Sequence, residues 1–283
     1  MFAVLMAIGI IGGIIREFKA KDPIVDFRML RDRNFAISTL AMFFLGFVLY
    51  SSTVLIPQML QELLGYPATL AGLALSPGGA TIMFCMPLVG FLVSRVDTRY
   101  LITFGCTISA SALLVMAGWN LSLDFKHAVL GRVLQSFGLA FLFIPINVTA
   151  FAYVPREKSN MGTGIINLAR NIGASVGIAT VTTLLERRTQ LHQARLMDHV
   201  NDMNPALQKT LTGFAATSLS GGSSGPGAAA QAHGMLFNMI ERQATMLAFL
   251  DNFKLLGVIF FGIIPIFLLL KRPKMGGGSV PVH

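Results

Sequence analysis

Long apolar runs broken by short charged clusters organise this sequence. A helix crossing about 30 Å of hydrocarbon needs roughly 20 apolar residues. Runs near that length lie at Phe35–Ile56, Leu70–Val93, Leu101–Trp119, Ala128–Val154, Met161–Leu185 and Asn252–Leu270, with a shorter one at Met1–Ile15. The short run has no basic stretch before it and no small-x-small cleavage site after it, and it passes straight into Arg16-Glu17-Phe18-Lys19. It is therefore expected to be part of a transmembrane helix and not a signal peptide. The predicted fold class is all-α, a polytopic membrane protein. A partial transmembrane helix (1–15) and a linker (16–34) precede a six-helix bundle (35–270), and a tail (271–283) follows it. Between Glu186 and Thr245 the pattern gives first a charged, Gln-rich, helix-compatible stretch, then SLSGGSSGPGAAAQAHG, whose composition predicts a flexible linker. Residues 186–245 are thus expected to form one long loop.

Composition agrees with this class. Of 283 residues 54% are hydrophobic and 12% charged, about half the charge of a soluble domain, and mean hydropathy is +0.67. The 28 Gly residues suit helices that associate by close backbone approach, since lipid supplies no hydrophobic drive between them. The net charge of +9 would suggest nucleic acid in a soluble protein, but its distribution gives another cause. Arg16, Lys19, Lys21, Arg28, Arg31 and Arg33, then Arg95 and Arg99, then Arg156 and Lys158, then Lys271, Arg272 and Lys274 fall on alternate loops, hence on one side of a membrane. The opposite short loops hold only Lys126, and residues 186–245 are too long to count. The rule makes the basic side cytoplasmic, with the N-terminus outside and the C-terminus inside, and no nucleic-acid partner is required. Cys85 and Cys106 lie in apolar runs and form neither a disulfide framework nor a metal motif.

Chemistry at membrane depth must come from polar groups inside the runs. All 13 acidic residues lie at run ends or in loops, so a proton-carrying carboxylate is not expected in the membrane core of this chain. Arg170 lies ten residues beyond Asn160, about 15 Å along a helix and near the bilayer midplane. Asn167, Arg170, Asn171 and Ser175 share a helical face, and Gly173 and Gly177 form a G-x-x-x-G step for a neighbouring helix. Arg170 either takes part in a substrate pathway or serves structure, bonding carbonyls freed near Pro145 or pairing across the bundle. In the preceding run Gln135, Ser136 and Asn147 are pathway candidates. Ser136 and Asn147, eleven residues apart, fall at nearly the same angle and are expected to line one cavity. Arg132, close to the run's edge, is expected to reach the interface in a structural role. Tyr50, Ser51 and Ser52 form a further candidate cavity edge, with Thr53 satisfied within its own helix. The five His (127, 192, 199, 233 and 283) lie outside the runs without metal spacing and are expected to be solvated. With no carboxylate pair, metal cluster or activated nucleophile at membrane depth, the sequence offers no catalytic residue, metal site or cofactor.

These residues carry a resemblance. Pro57-Gln58-Met59-Leu60-Gln61, Leu64-Gly65-Tyr66-Pro67-Ala68, Ala71-Gly72-Leu73 and Pro77-Gly78-Gly79 resemble the second half of a fourteen-helix drug:proton antiporter of the EmrB/QacA type, in the major facilitator superfamily. Gly90-Phe91-Leu92-Val93-Ser94-Arg95-Val96-Asp97-Thr98-Arg99 is similar to that superfamily's G-x-L-a-D-r-x-G-r-k loop, with Ser94 in place of its Asp and Asp97 at its Gly. Gly131-Arg132-Val133-Leu134-Gln135-Ser136-Phe137-Gly138 and Asn167–Gly177 resemble the family too. The resemblance implies that 35–270 is the C-terminal bundle, that Gly90, Arg95, Asp97 and Arg99 belong to a gating loop, and that the proton-carrying acid lies largely in an N-terminal half not found in this sequence. It implies export of amphipathic or lipophilic compounds across a bacterial inner membrane by alternating access, little or none by this half alone. The implied partners are that N-terminal half, a periplasmic adaptor protein and an outer-membrane channel. A non-transporting membrane scaffold or a truncated remnant is the alternative reading.

Overall fold

The computed structural model describes residues 27–270 apart from 153, 156–157, 199, 201–204 and 222–224. The helices expected at 1–15 and the segments at 16–26 and 271–283 lie outside the described residues. Among those described there is no strand. A 3-10 turn at Phe27–Arg31 leads into α1 (Arg33–Glu62), followed by α2 (Ala68–Leu73), α3 (Ser76–Val93), α4 (Thr98–Met116), α5 (Phe125–Phe151), α6 (Ser159–Met197), α7 (Pro205–Ser220) and α8 (Gly225–Leu268). With α2 and α3 taken as one span, six helical segments are long and apolar enough to cross a membrane. The protein is multi-pass.

Helix ends follow local chemistry. Asp32 caps α1, its Oδ1 accepting from the Phe35 amide at 2.8 Å, and Asp97 caps α4, accepting from the Arg99 amide at 3.1 Å. At the other end of α1, Gly65 takes φ +71° and the Tyr66 amide bonds the Leu60 carbonyl at 3.0 Å. Glycine alone adopts that backbone without steric cost, so Gly65 ends α1 and turns the chain into α2. Arg242 of α8 completes the cap, donating from Nη2 to the Leu63 carbonyl at 2.7 Å; a cation suits the negative end of the α1 dipole.

Packing depends on glycine. A Cβ at Gly173 would strike the Phe43 carbonyl, one at Gly177 would lie 2.6 Å from the Phe47 carbonyl, and one at Gly46 would strike the Arg170 carbonyl, so α1 and α6 meet backbone to backbone. Gly105 and Gly138 do the same for α4 and α5: a Cβ on either would lie 2.7 Å from the other's carbonyl oxygen. The core between these seams is filled by Phe35, Met42, Leu45, Phe249, Phe253 and Phe260, all nearly inaccessible. Burial is uneven. In the most apolar stretch of each span, 11% of residues are buried for Ala68–Val93 and 22% for Ser159–Met197, against 44–61% for the other four.

Two expectations change here. The run at Met161–Leu185 continues as helix to Met197, and α8 begins at Gly225 and not near Asn252. At 1.5 Å per residue α6 and α8 extend about 58 and 66 Å, well beyond a hydrocarbon core of about 30 Å. The expected loop at 186–245 is therefore largely helical among the described residues, and Gly225–Gly234, read from composition as flexible, lies in α8. The reason is tertiary: Ala228, Ala232, Leu236, Ile240 and Ala244 recur every fourth residue on one buried stripe, and α8 packs on α7 and α6. His192 and His233, expected in solvated loops, stand on these helices. His192 Nε2 lies 2.9 Å from Asp251 Oδ2, and Arg188 Nη1 is 3.6 Å from the same oxygen, so one α8 carboxylate is gripped by two α6 residues a turn apart.

Gly173→Ala should lower the thermal stability of the purified protein by about 1–3 kcal/mol, the range for overpacking. Gly164→Ala, with nothing within 4 Å of the new Cβ, should raise it by up to about 1 kcal/mol through helix propensity. Equal melting temperatures for the two variants would refute the α1–α6 seam.

Candidate functional site

The most buried cation described is Arg132, not Arg170. Arg132 enters from α5 seven residues past Phe125, about 10 Å along the helix, and its side chain was expected to reach the interface. It does not: the residue is 5% exposed. Nη1 donates to Ser52 Oγ at 3.1 Å and to Gln135 Oε1 at 2.9 Å, and Nη2 donates to Thr53 Oγ1 at 3.0 Å. Gln135 Nε2 also donates to Ser52 Oγ, at 2.9 Å, while Ser52 Oγ donates to the Leu49 carbonyl at 3.0 Å. The Ser52 hydroxyl thus uses its one donor and both acceptors. Thr53 Oγ1 donates to the Leu49 carbonyl at 2.7 Å, as expected, and accepts from Arg132 besides. Ser109 Oγ of α4 donates to the Gln135 carbonyl at 3.0 Å. The cluster joins α1, α4 and α5.

Helical spacing explains the assembly. Arg132, Gln135 and Ser136 occupy one face of α5, three and four residues apart. The side chain turns instead to α1, whose Ser52 and Thr53 hydroxyls accept from its Nη atoms. The signal that could have found the cluster is that the Ser52 and Thr53 hydroxyls, though each donates to the Leu49 carbonyl of its own helix, keep acceptor lone pairs free for a buried donor.

The remaining candidates are placed elsewhere. Tyr50 is 39% exposed, whereas Ser51 and Ser52 are fully buried; successive helical residues point about 100° apart, so the expected three-residue edge divides in two. Asn147 donates to the Phe143 carbonyl of its own helix at 2.7 Å. It stands eleven residues, about 16 Å, from Ser136 along the same helix. Arg170 is half-buried, its Nε buried and unpartnered, and it makes no bond to the Pro145 region. Asn167 is half-buried and Asn171 and Ser175 are exposed, while Gly173 and Gly177 face α1.

In the last turns of α3, Gly90 is exposed with open space around its Cα, and just past the helix the Arg95 guanidinium lies 4.1 Å from the Phe91 ring centroid. Asp97, the α4 cap, has Arg99 Nε 3.9 Å from Oδ1. Thr149 Oγ1 lies 2.9 Å from Thr98 Oγ1 and ties the start of α4 to the end of α5. Among the described residues no group of His, Cys, Asp and Glu could hold a metal.

Arg132→Ala should destabilise the protein by about 2–4 kcal/mol, because it opens a cavity and leaves Gln135 Oε1 without its donor. Arg170→Ala, which breaks no hydrogen bond among the described residues, should cost under about 1 kcal/mol. Thermal melts in one detergent check the order, and a larger loss for Arg170→Ala would reverse this assignment.

Comparison with known proteins places this architecture. Residues 2–178 match the Major Facilitator Superfamily. The Fatty acid resistance protein FarB of Neisseria gonorrhoeae is 29% identical over 267 residues, 94% of this chain and 51% of that protein. The Multidrug export protein EmrB of Escherichia coli K12 is 28% identical over 275 residues, 95% of this chain and 52% of that protein. The Probable multidrug resistance protein EmrY of the same strain is 31% identical over 216 residues, 74% of this chain and 41% of that protein. The chain spans about half the length of the curated relatives it matches. A glycine-sealed bundle of membrane-spanning helices around a buried polar cluster, matched by that family over more than half its residues, belongs to the major facilitator superfamily.

Proposed function

We propose that this chain forms the C-terminal bundle of a proton-coupled multidrug efflux transporter that exports amphipathic or lipophilic compounds by alternating access. The observation that carries the reading is the exposed face of α6. Asn171, Ser175, Ala179, Thr183 and Arg187 recur every fourth residue and all are exposed. Amide and hydroxyl groups at membrane depth are costly against lipid. Such a stripe suits a second bundle or a water-filled pathway, and α6 is, after the α2–α3 span, the least buried of the spans. The rest of the relatives' length would supply that second bundle. Similarity to proteins named for multidrug export and fatty acid resistance supports the substrate class.

The described residues hold no acid in the interior of a span: Asp32, Glu62, Asp97 and Asp124 stand at helix ends, and Glu186, Asp198, Glu241 and Asp251 on the long extensions or their borders. In this reading a proton-accepting carboxylate belongs to the partner half, and the chain alone provides one wall of the pathway and does not transport. The Gly90–Arg99 segment, from the end of α3 to the start of α4, would serve as a gating element, with Asp97 fixing the start of α4. The positive-inside pattern of the basic loops supports a cytoplasmic position for that end in a bacterial inner membrane, which would put the α7–α8 hairpin in the periplasm, where a periplasmic adaptor protein leading to an outer-membrane channel would meet it.

Liposomes containing only this chain should show no extrusion of a lipophilic dye when a proton gradient is imposed, and extrusion should appear when the N-terminal half of the E. coli relative is supplied with it. Gradient-driven extrusion by the chain alone would overturn the half-transporter reading. Orientation has its own test: in a background with Cys85→Ser and Cys106→Ala, Ser220→Cys should react with a membrane-impermeant maleimide added to spheroplasts and Asn160→Cys should not. The opposite labelling would invert the topology.

A further inference from the structure

Arg132 is buried without a counter-charge. Its Nη atoms meet only the neutral oxygens of Ser52, Thr53 and Gln135, and none of the ion pairs among the described residues includes it. Two polar atoms beside it are also unsatisfied: Arg132 Nε and Ser136 Oγ are both buried with no hydrogen-bond partner. They converge on one point of α3, Gly78, where a Cβ would lie 2.6 Å from Ser136 Oγ and 3.2 Å from Arg132 Nε. The glycine backbone lies over both atoms and bonds neither.

A buried guanidinium of this kind is left by its surroundings short of a negative charge. Its Nε–H is one prong of the planar fork with which arginine holds carboxylates, and the Ser136 hydroxyl adds a donor at the same place. The cover is the start of α3, where Gly78 is buried against α5 in a Pro77-Gly78-Gly79 turn while most of the rest of that span is unburied. We infer that Arg132 Nε and Ser136 Oγ form the anchor for the anionic head group of an amphipathic substrate, a carboxylate on an apolar chain, which they bind when the Gly78 segment of α3 moves away from α5. This rests on the transport reading and narrows its substrate class. A cationic head group would place a second positive charge against an uncompensated one in a low-dielectric interior, and a neutral one would leave the guanidinium unpaired.

The bundle carries its own reporter. Trp119, the single Trp of the chain, lies against Gly131, next in sequence to Arg132: a Cβ there would be 2.6 Å from the indole Cζ2. With the whole chain in phosphatidylcholine nanodiscs, brominated dodecanoate should quench Trp119 saturably. The matching brominated alcohol and trimethylammonium compounds should bind at least about tenfold more weakly, and Arg132→Gln should weaken dodecanoate binding by at least about tenfold. Ser136→Ala guards against a misfolded arginine variant. It removes a hydroxyl that has no partner, so it should melt no lower than the wild-type protein yet bind dodecanoate about three- to fivefold more weakly. Dodecanoate binding unchanged in Ser136→Ala, or trimethylammonium binding as tight as carboxylate, would overturn the anion site and leave amphiphile transport standing. No saturable quenching by any of the three probes would likewise overturn the anion site, whereas failure of extrusion on reconstitution with the N-terminal half would overturn the transport reading.

Discussion

Lipid gives helices no hydrophobic reason to associate, so this bundle depends on how closely its backbones approach. Two glycine seams set the distances, one joining α1 to α6 through Gly46, Gly173 and Gly177, the other joining α4 to α5 through Gly105 and Gly138. At such separations, dispersion contacts that are individually worth about 0.1–0.2 kcal/mol accumulate along whole turns. The seams also hold polar side chains within bonding reach. Ser109 sits on the α4–α5 seam and donates to the Gln135 carbonyl, and Ser52 lies on α1 between the α6 seam and α5. The polar cluster around Arg132 is in this sense a product of the packing: without the glycines its partners would stand ångströms farther off.

Close approach also explains why α1 and α5 hold the polar interior while α3 and α6 remain open. A helix with neighbours on several sides can bury hydroxyls and a guanidinium because each finds an acceptor or donor. A helix with one neighbour must place its polar residues toward whatever else covers it. α5, with α1, α3 and α4 around it, carries Arg132, Gln135 and Ser136 inward. α6 packs on α1 through Gly173 and Gly177 and also on α8, and leaves Asn171 and Ser175 exposed.

Much of this was legible in the sequence, and the failures share a cause. Apolar run length gave the spans, and the G-x-x-x-G step in α6 pointed to a close neighbour, because both depend on a helix's own residues. The helical extensions of α6 and α8 were missed because composition was read without register: Ala228, Ala232, Leu236, Ile240 and Ala244 make a stripe only when counted every fourth residue, and the glycines around them suggest a linker to any average. Arg132 departs from the sequence expectation for a related reason. Depth along its own helix favoured an escape to the interface, but where a long side chain goes is decided by what the neighbouring helix offers, here the hydroxyls of Ser52 and Thr53, 80 residues away in the chain. Tyr50 was grouped with Ser51 and Ser52 by adjacency, which on a helix separates directions.

The same distinction bears on the two arginines. Arg170 drew attention because the midplane is the costliest depth for a charge, yet it is half-buried beside an open face, where water or another bundle can reach it. Arg132 lies nearer an end but is enclosed, and enclosure, more than depth, removes the means of solvating a charge. Neutral hydrogen bonds orient the guanidinium without cancelling its charge, so the field it projects towards Gly78 persists. Any motion that parts α3 from α5 exposes that field to whatever occupies the gap, so the start of α3, where Gly78 covers Arg132 Nε and Ser136 Oγ, controls access to the charge.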